Sequence, residues 1–365
     1  MEALVDHYTT LIQGDYLKTP FEAVGLIYGL HYLYQTTGMD KYEDMQRIAI
    51  DRMIQMQNEN HLSPYNLAAL CLALDWTRKG SLFDGLQEDI DEFLFKECKL
   101  MIMKNNFDYF YGATNLLFYL MQRGRGDKLP MREYKSCVIK CLESGDMYVP
   151  FTLENGERVS VINIGVPHGL SGILLLTLMS REKGVEDVDD LIVHLCDILL
   201  NMRFSEEEEG YHLFPMAITN EGRKIRGWMG WCSGDIMISY AILKAGILLE
   251  NSYYIEAGYR FLHKMNNRVD YNKQNLSLCH GYSSLIYIFQ RIYELTNDTV
   301  FLTRSLFFRD KATDLLAFFL ANQRENEHSD AFFRNPSFFT GFPGCFLALS
   351  TLDTPYTKWV DCLLL

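Results

Sequence analysis

The feature that most restricts this chain is a weak internal repeat. Short glycine-containing loops recur, each followed by an apolar helix: AVGLIYGL from Ala23, YGATNLL from Tyr111, PHGLSGILLL from Pro167, WCSGDIMI from Trp231, CHGYSSLIYI from Cys279 and TGFPGCFLAL from Thr340. SPYNLAALCLAL from Ser63 fits the same place without the glycine. Seven units in 365 residues recur roughly every 52 residues, room for one helix leaving each loop and one returning. Apolar helices alternating with more polar ones predict an all-α fold, an inner ring wrapped by an outer ring. That is an α/α toroid occupying 1–365 as a single domain; an open helical solenoid is the other arrangement such a repeat allows.

Local patterning agrees. Val188 to Met202 sets Leu191, Ile192, His194, Leu195, Ile198 and Leu199 at helical spacing. Segments 66–76, 113–121, 170–179, 236–249, 283–295 and 311–322 read as helices of similar length. Only Met147 to Ile164 looks extended, with Asn155-Gly156 as the turn of a short hairpin. It reads as a structural connection rather than a guide for a ligand.

Composition removes several classes of function. The net charge of −13 does not favour a phosphate backbone, which needs clustered Lys and Arg. The dense run Glu206 to Glu209 reads as a solvated loop. Met1 to Tyr16 carries acids and no long apolar stretch, so it is not a signal peptide. No apolar run reaches the length of a membrane span. The nine cysteines are therefore expected as thiols or metal ligands in the cytoplasm, not as a disulfide frame.

If every loop opens an inner helix, all the loops lie at one end of the barrel, and residues distant in sequence converge there. Helix N-termini point into that mouth and favour anions such as thiolates. Four loops carry unusual residues: Asp108 in FDYFYG, His168 in GVPHGLSG, Cys232 in GWCSGD, and Cys279 with His280 in LCHGY. Thiolate and imidazole suit zinc, and three protein ligands leave a fourth position open, as in catalytic sites. Adjacent Cys and His side chains diverge by about 100° on a regular helix, so sharing an ion needs an irregular helix start, which Gly281 permits. The competing reading is two buried structural cysteines and a capping histidine. His168 reads either as a helix-start residue bonded to backbone or as a proton donor and acceptor. Asp108 reads as a helix cap or as a group orienting a catalytic residue. Cys71, Cys98, Cys137, Cys141, Cys196, Cys345 and Cys362 read as packing or surface thiols; Cys137 and Cys141, four apart, have no nearby histidine to make them a metal pair.

At these residues the sequence resembles the lanthionine synthetase C-like family. FDYFYGATNLLFYL is similar to its Asp-containing second inner motif and NIGVPHGLSGILLL to its His-Gly motif. GWCSGD and LCHGY are similar to its two zinc motifs, TGFPGCFLALSTL to its last glycine motif, and TPYTKWVDCLLL to its C-terminus. The spacing of 47 residues between Cys232 and Cys279 fits too. The resemblance implies a toroid of seven inner and seven outer helices with Zn2+ at the mouth. It implies a cyclase that adds peptide Cys thiols to dehydroalanine or dehydrobutyrine, making lanthionine or methyllanthionine. Cys232, Cys279 and His280 would hold zinc, His168 would be the acid/base, and Asp108 would sit at the family's acidic position. Trp228, Trp231, Ser233 and Tyr282 are expected to touch substrate.

Two departures stand out. Bacterial cyclases typically have an Arg four residues before the first zinc cysteine, where this chain has Trp228; Arg226 reaches the same space only if the loop bulges at Gly227 and Gly230. Many also have Tyr or His after that cysteine, where this chain has Ser233. The expected partners are a dehydrated precursor peptide with its leader, and a dehydratase and exporter complex that would bring the protein to the inner membrane. Neither nucleic acid nor a transmembrane segment is expected. Other functions considered are zinc-dependent addition of glutathione, protein prenylation, a non-catalytic zinc scaffold that binds peptide, and a glycosidase using Asp108 with Asp235.

Overall fold

The structure, a computed structural model, describes residue 11 and residues 21–58, 63–79, 85–125, 129–153, 156–185, 187–210, 212–268, 275–322, 327–352, 354–355 and 357–365. Met1 to Tyr16 (save Leu11) and Asn155 of the expected hairpin turn lie outside the described residues.

Seven buried helical segments form the inner layer. A π-helical turn Val24–Tyr28 runs into Gly29–Thr37; the others are Pro64–Trp76, Ala113–Gln122, Leu170–Glu182, Asp235–Leu248, Tyr282–Thr296 and Phe342–Thr351. Each packs on the next, and the last packs on the first, so the ring closes and the open solenoid is excluded. Their composition fits the place. Leu170 to Ser180 is buried without a break, as expected for a helix enclosed on every side.

Helices Asp40–Asn58, Gln87–Met103, Met131–Ser144, Asp189–Asn201, Ser252–Asn266 and Thr299–Ala321 lie outside the ring. They are amphipathic: Asp189–Asn201 buries Leu191, Ile192, Leu195, Cys196, Leu199 and Leu200 and turns its remaining side outward. The expected helix at 311–322 is the second half of the longer Thr299–Ala321. A further short helix, Glu327–Arg334, packs on Phe342–Thr351.

One expectation about the extended chain is corrected. The expected hairpin is present as β1 (Val149–Thr152) and β2 (Arg158–Asn163). It is half of a four-stranded antiparallel sheet that also contains β3 (Pro215–Thr219) and β4 (Lys224–Arg226), in the order β1-β2-β3-β4. Val161 pairs with Val149 on one side and with Thr219 on the other. Strands this short leave too few alternations to recognise. The acidic run is also not a loop: Glu206–Glu209 is one helical turn closed by a capping box between Ser205 and Glu208. No helix among the described residues is long and apolar enough to cross a membrane.

Candidate metal centre and active site

The loops entering the inner helices share a construction that builds the site. Asn106, Asn163, Asn275 and Asn335 each stand six residues before a glycine: Gly112, Gly169, Gly281 and Gly341. Each Asn Oδ1 accepts the backbone N–H two residues on, from Asp108, Gly165, Ser277 and Ser337. A Cβ on any of these glycines would overlap the Asn carbonyl. In three loops a hydroxyl two residues past the glycine, from Thr114, Ser171 or Ser283, donates to the carbonyl seven residues back. The loop is thus tied at both ends before its helix begins. This Asn-x5-Gly pattern is visible in the sequence and escapes a reading that follows glycines alone. The loop of Cys232 departs from it, with Trp228 in the Asn position and Gly230 making the close approach to Gly234.

Backbone hydrogen bonds then join five loops side by side. Tyr109 N–H donates to Pro167 O at 2.7 Å, Val166 to Cys232 at 2.9 Å, Cys232 to Cys279 at 2.9 Å and Cys279 to Phe339 at 2.8 Å. The amides of both candidate zinc cysteines belong to this belt. Beneath it, Trp231 stacks on Phe339 with ring centroids 4.6 Å apart. Tyr109 Oη–H and Trp231 Nε1–H donate to the carbonyls of Cys362 and Leu363, each at 2.8 Å.

Cys232 Sγ, Cys279 Sγ and one ring nitrogen of His280 lie within 4.8 Å of one another, the one His/Cys/Asp/Glu group of metal-binding geometry among the described residues. The irregular helix start exists: His280 N–H is held by Ser277 Oγ, and Tyr282–Thr296 begins only after Gly281. The donor chemistry fits a soft divalent cation. The Cys279 thiol hydrogen-bonded to Cys232, with His280 and Ser233 assisting, holds the Cys232 thiol far below its ordinary range. Its hydrogen bond to that sulfur, burial and the nearby charge push Cys279 far above. Two thiols this close resist ionising together, and a bound cation would let both ionise.

His168 and Asp108 form the second constellation. His168 Nδ1 is 2.5 Å from Asp108 Oδ2, while Asp108 Oδ1 accepts the N–H groups of Phe110 and Tyr111. Asp108 thus both ties its own turn and fixes the tautomer, leaving Nε2 for another partner. Burial lowers the His168 pKa, but the Asp108 hydrogen bond and charge, with the charge of Cys232, outweigh it and the net value is raised. A cleft of about 110 Å³ touches both residues and reaches Met147 and Val149. Asp235, the second carboxylate considered for a glycosidase, is unavailable. It is buried against Arg268 at 2.6 Å and accepts N–H groups from Leu213 and Phe214. Burial raises its carboxyl to about 6 against the pull of Arg268 and those two amides.

The expected substrate contacts divide. Trp228 is 37% exposed, its ring 5.9 Å from that of His280. Ser233 is buried with its Oγ 3.6 Å from Cys232 Sγ. Trp231 is corrected: it is fully buried and bonded to Leu363, a support of the loop belt. Tyr282 is corrected as well, being buried with its ring 6.0 Å from Phe308 of the outer layer. Arg226 ends away from the ligands, donating to Glu208 O at 2.6 Å with its guanidinium over Phe204. In this loop Gly227 packs against the Ser233 backbone and Gly230 against the His280 backbone. Of the remaining cysteines, Cys137 is half-buried and the other six are buried.

A family model described as lanthionine synthetase C-like protein matches residues 23–365. Among curated proteins, the chain is similar to the nisin biosynthesis protein NisC of Lactococcus lactis subsp. lactis. The two are 26% identical over 335 residues, covering 82% of this chain and 75% of that protein. Among solved structures it is similar to nisin cyclase, with a TM-score of 0.77 and 18% identity, covering 100% of this chain and 96% of the other.

Proposed function

The chain belongs to the lanthionine synthetase C-like family, and from that premise we propose that it is a lanthipeptide cyclase with zinc held by Cys232, Cys279 and His280. The observation that carries this is the convergence of those three ligand atoms within 4.8 Å, on loops bonded through Val166 and Pro167 to the His168–Asp108 pair. A relative that is a nisin biosynthesis protein and the likeness to nisin cyclase support the substrate class.

The reaction asks little of the protein beyond charge control and placement. Free thiols are mostly protonated at neutral pH, with a pKa of about 8.5. Zinc, when bound, supplies a Lewis acid that lowers the pKa of an incoming thiol. The peptide's sulfur bonds to the β-carbon of a dehydro residue as the C=C π bond breaks. The proton lost from sulfur is balanced by one gained at the α-carbon, so no oxidant or reductant is needed. His168 is the group to deliver that proton. Its raised pKa keeps a larger fraction charged near neutrality, and Asp108 holds Nδ1 so that Nε2 is the atom that exchanges. The peptide must arrive already dehydrated, so a dehydratase acts before this protein.

The test is incubation of the zinc-loaded protein with a synthetic peptide carrying dehydroalanine and Cys, followed by alkylation of free thiols. Loss of alkylation with unchanged peptide mass reports a thioether. A peptide that is bound but keeps its thiol would establish a non-catalytic scaffold, the reading that the displacement of Arg226 favours. Glutathione joining the dehydro residue in preference to the peptide's own Cys would redirect the function to thiol addition. Cys232→Ala should release zinc, whereas His168→Ala should keep zinc and lower cyclisation by roughly 100-fold or more. Equal loss of both in His168→Ala would make His168 structural.

A further inference from the structure

The outer helix Gln87–Met103 has an apolar face that nothing in its own chain uses. Its inward side is Asp91, Leu94, Cys98 and Ile102, all buried. At about 100° per residue, the opposite side carries Phe93, Leu100 and Met103, with Leu86 at the N-cap close to the same line. All four are exposed, Met103 at 78%. The helix packed beside it, Met131–Ser144, exposes no large apolar side chain, the ordinary condition of an outer-layer helix.

Charge on this face is polarised along the helix. Glu88, Asp89 and Glu92 are exposed in the first half, and Lys96, Lys99 and Lys104 in the second half and just beyond it. The helix dipole accounts for the sense of that gradient. It does not account for the apolar side chains set among the charges. Lys96 bonds Glu92 at 2.8 Å and Lys99 bonds Glu133 at 3.4 Å, with every partner well exposed. Exposed pairs of this kind contribute little and exchange readily for others.

Such a face is complementary to itself when turned end for end. A two-fold axis across the helix lays the first half of one copy on the second half of the other. Acids then meet bases at both ends, and Phe93 and Leu100 of the two copies meet near the middle; a parallel alignment would set like charges opposite. Beside the first half lies a cavity of about 400 Å³ whose walls include Glu88, Glu92, Phe95 and Leu120. The same rotation brings Lys99 and Met103 of the second copy to that flank, a cation and a flexible apolar chain for an acid-rimmed recess. An anionic lipid surface would instead be repelled by the three acids and by the net charge of −13.

We propose that the chain self-associates through this helix as a two-fold, antiparallel dimer. The inference goes beyond the reaction proposed for the mouth and does not depend on it. The helix runs toward that mouth, with Asp108 five residues past Met103, so antiparallel pairing points the two mouths in opposite directions. A helix of 17 residues is about 26 Å long, and one face of it covers less than the about 800 Å² per partner of a stable complex. The dimer is therefore weak, with a Kd on the order of 100 µM.

Sedimentation velocity of the full, zinc-loaded chain from about 5 to about 500 µM brackets that affinity and tests the proposal. The sedimentation coefficient is expected to climb from that of a monomer toward that of a dimer. Phe93→Lys with Leu100→Lys should weaken association at least about tenfold, with thermal unfolding and zinc content unchanged. Charge reversal gives a second arm that stands even if the apolar variant fails to fold. Asp89→Lys with Glu92→Lys, and Lys96→Glu with Lys99→Glu, should each lose self-association, and an equimolar mixture of the two should associate again. A monomer throughout the range, a dimer that survives Phe93→Lys with Leu100→Lys, or a mixture that stays monomeric overturns the proposal. So does pelleting with phosphatidylglycerol vesicles that the apolar variant loses while the parent chain stays monomeric, which would assign the face to a lipid surface.

Discussion

At the scale of single residues, the proposed acid/base role belongs to the His168–Asp108 pair. Asp108 acts through His168. Asp108→Asn should keep zinc bound and slow cyclisation by about tenfold or more, measured by the alkylation assay. Its pH profile carries the sign. Asp108 raises the His168 pKa against burial, so activity that needs the protonated ring is lost as pH rises through that raised value. In Asp108→Asn burial is less opposed, and the same decline should begin at lower pH. The linked stability follows the same direction. A raised histidine contributes fully below its unfolded value of about 6.5 and loses that contribution as pH rises through the folded value. The His168 side chain is 45% exposed, so solvent screening keeps this contribution small. An unmoved profile in Asp108→Asn would show that Asp108 is only a turn residue.

At the scale of elements, the loops and the small sheet govern where those residues stand. Gly165 packs its bare α-carbon on the Cys232 carbonyl, which accepts from Val166. Gly165→Ala must displace the Cys232 loop, and it should weaken zinc retention against a chelator and lower stability by about 1–3 kcal/mol. Full zinc affinity in that variant would mean that the loop belt does not position the cysteine. The sheet has a different concern. Ser160 O accepts from Asn220 on the β3 side, so Pro150, paired with Ser160 across β1, faces the open edge without an N–H to offer. Pro150→Val restores a donor there and should increase self-association with concentration, read by light scattering. Strands β3 and β4 were hidden in the sequence because PMAIT and KIR are too short to alternate visibly, and because β2, which pairs with β3, lies more than 50 residues away. The Asn-x5-Gly loops were legible in principle, since the Asn, the glycine and the following hydroxyl all act locally.

At the scale of the whole molecule, closure of the inner ring brings loops from distant parts of the chain to one mouth, and a buried ion pair ties the sheet side to it. Asp235 and Arg268 have side chains 3% and 1% exposed. Asp235→Ala removes the buried carboxylate that Arg268 bonds at 2.6 Å and frees the amides of Leu213 and Phe214. It should cost about 3–5 kcal/mol, seen as a large fall in Tm; a change under about 1 kcal/mol would show that the interior tolerates the charge.

Read alone, the sequence showed the repeat, the helical layers and, through its resemblance to the family, the three metal-ligand candidates, with His168 and Asp108 as separate candidates. The first two rest on local periodicity and on loop chemistry within a few residues. Only the tertiary structure decided that the ring closes, that Trp231 and Tyr282 turn into packing, and that Arg226 goes to Phe204 and Glu208 instead of the metal side. Arg226 has a long side chain with several reachable partners. Which one it takes depends on surfaces contributed by residues 204–210, whose position relative to β4 no local pattern encodes.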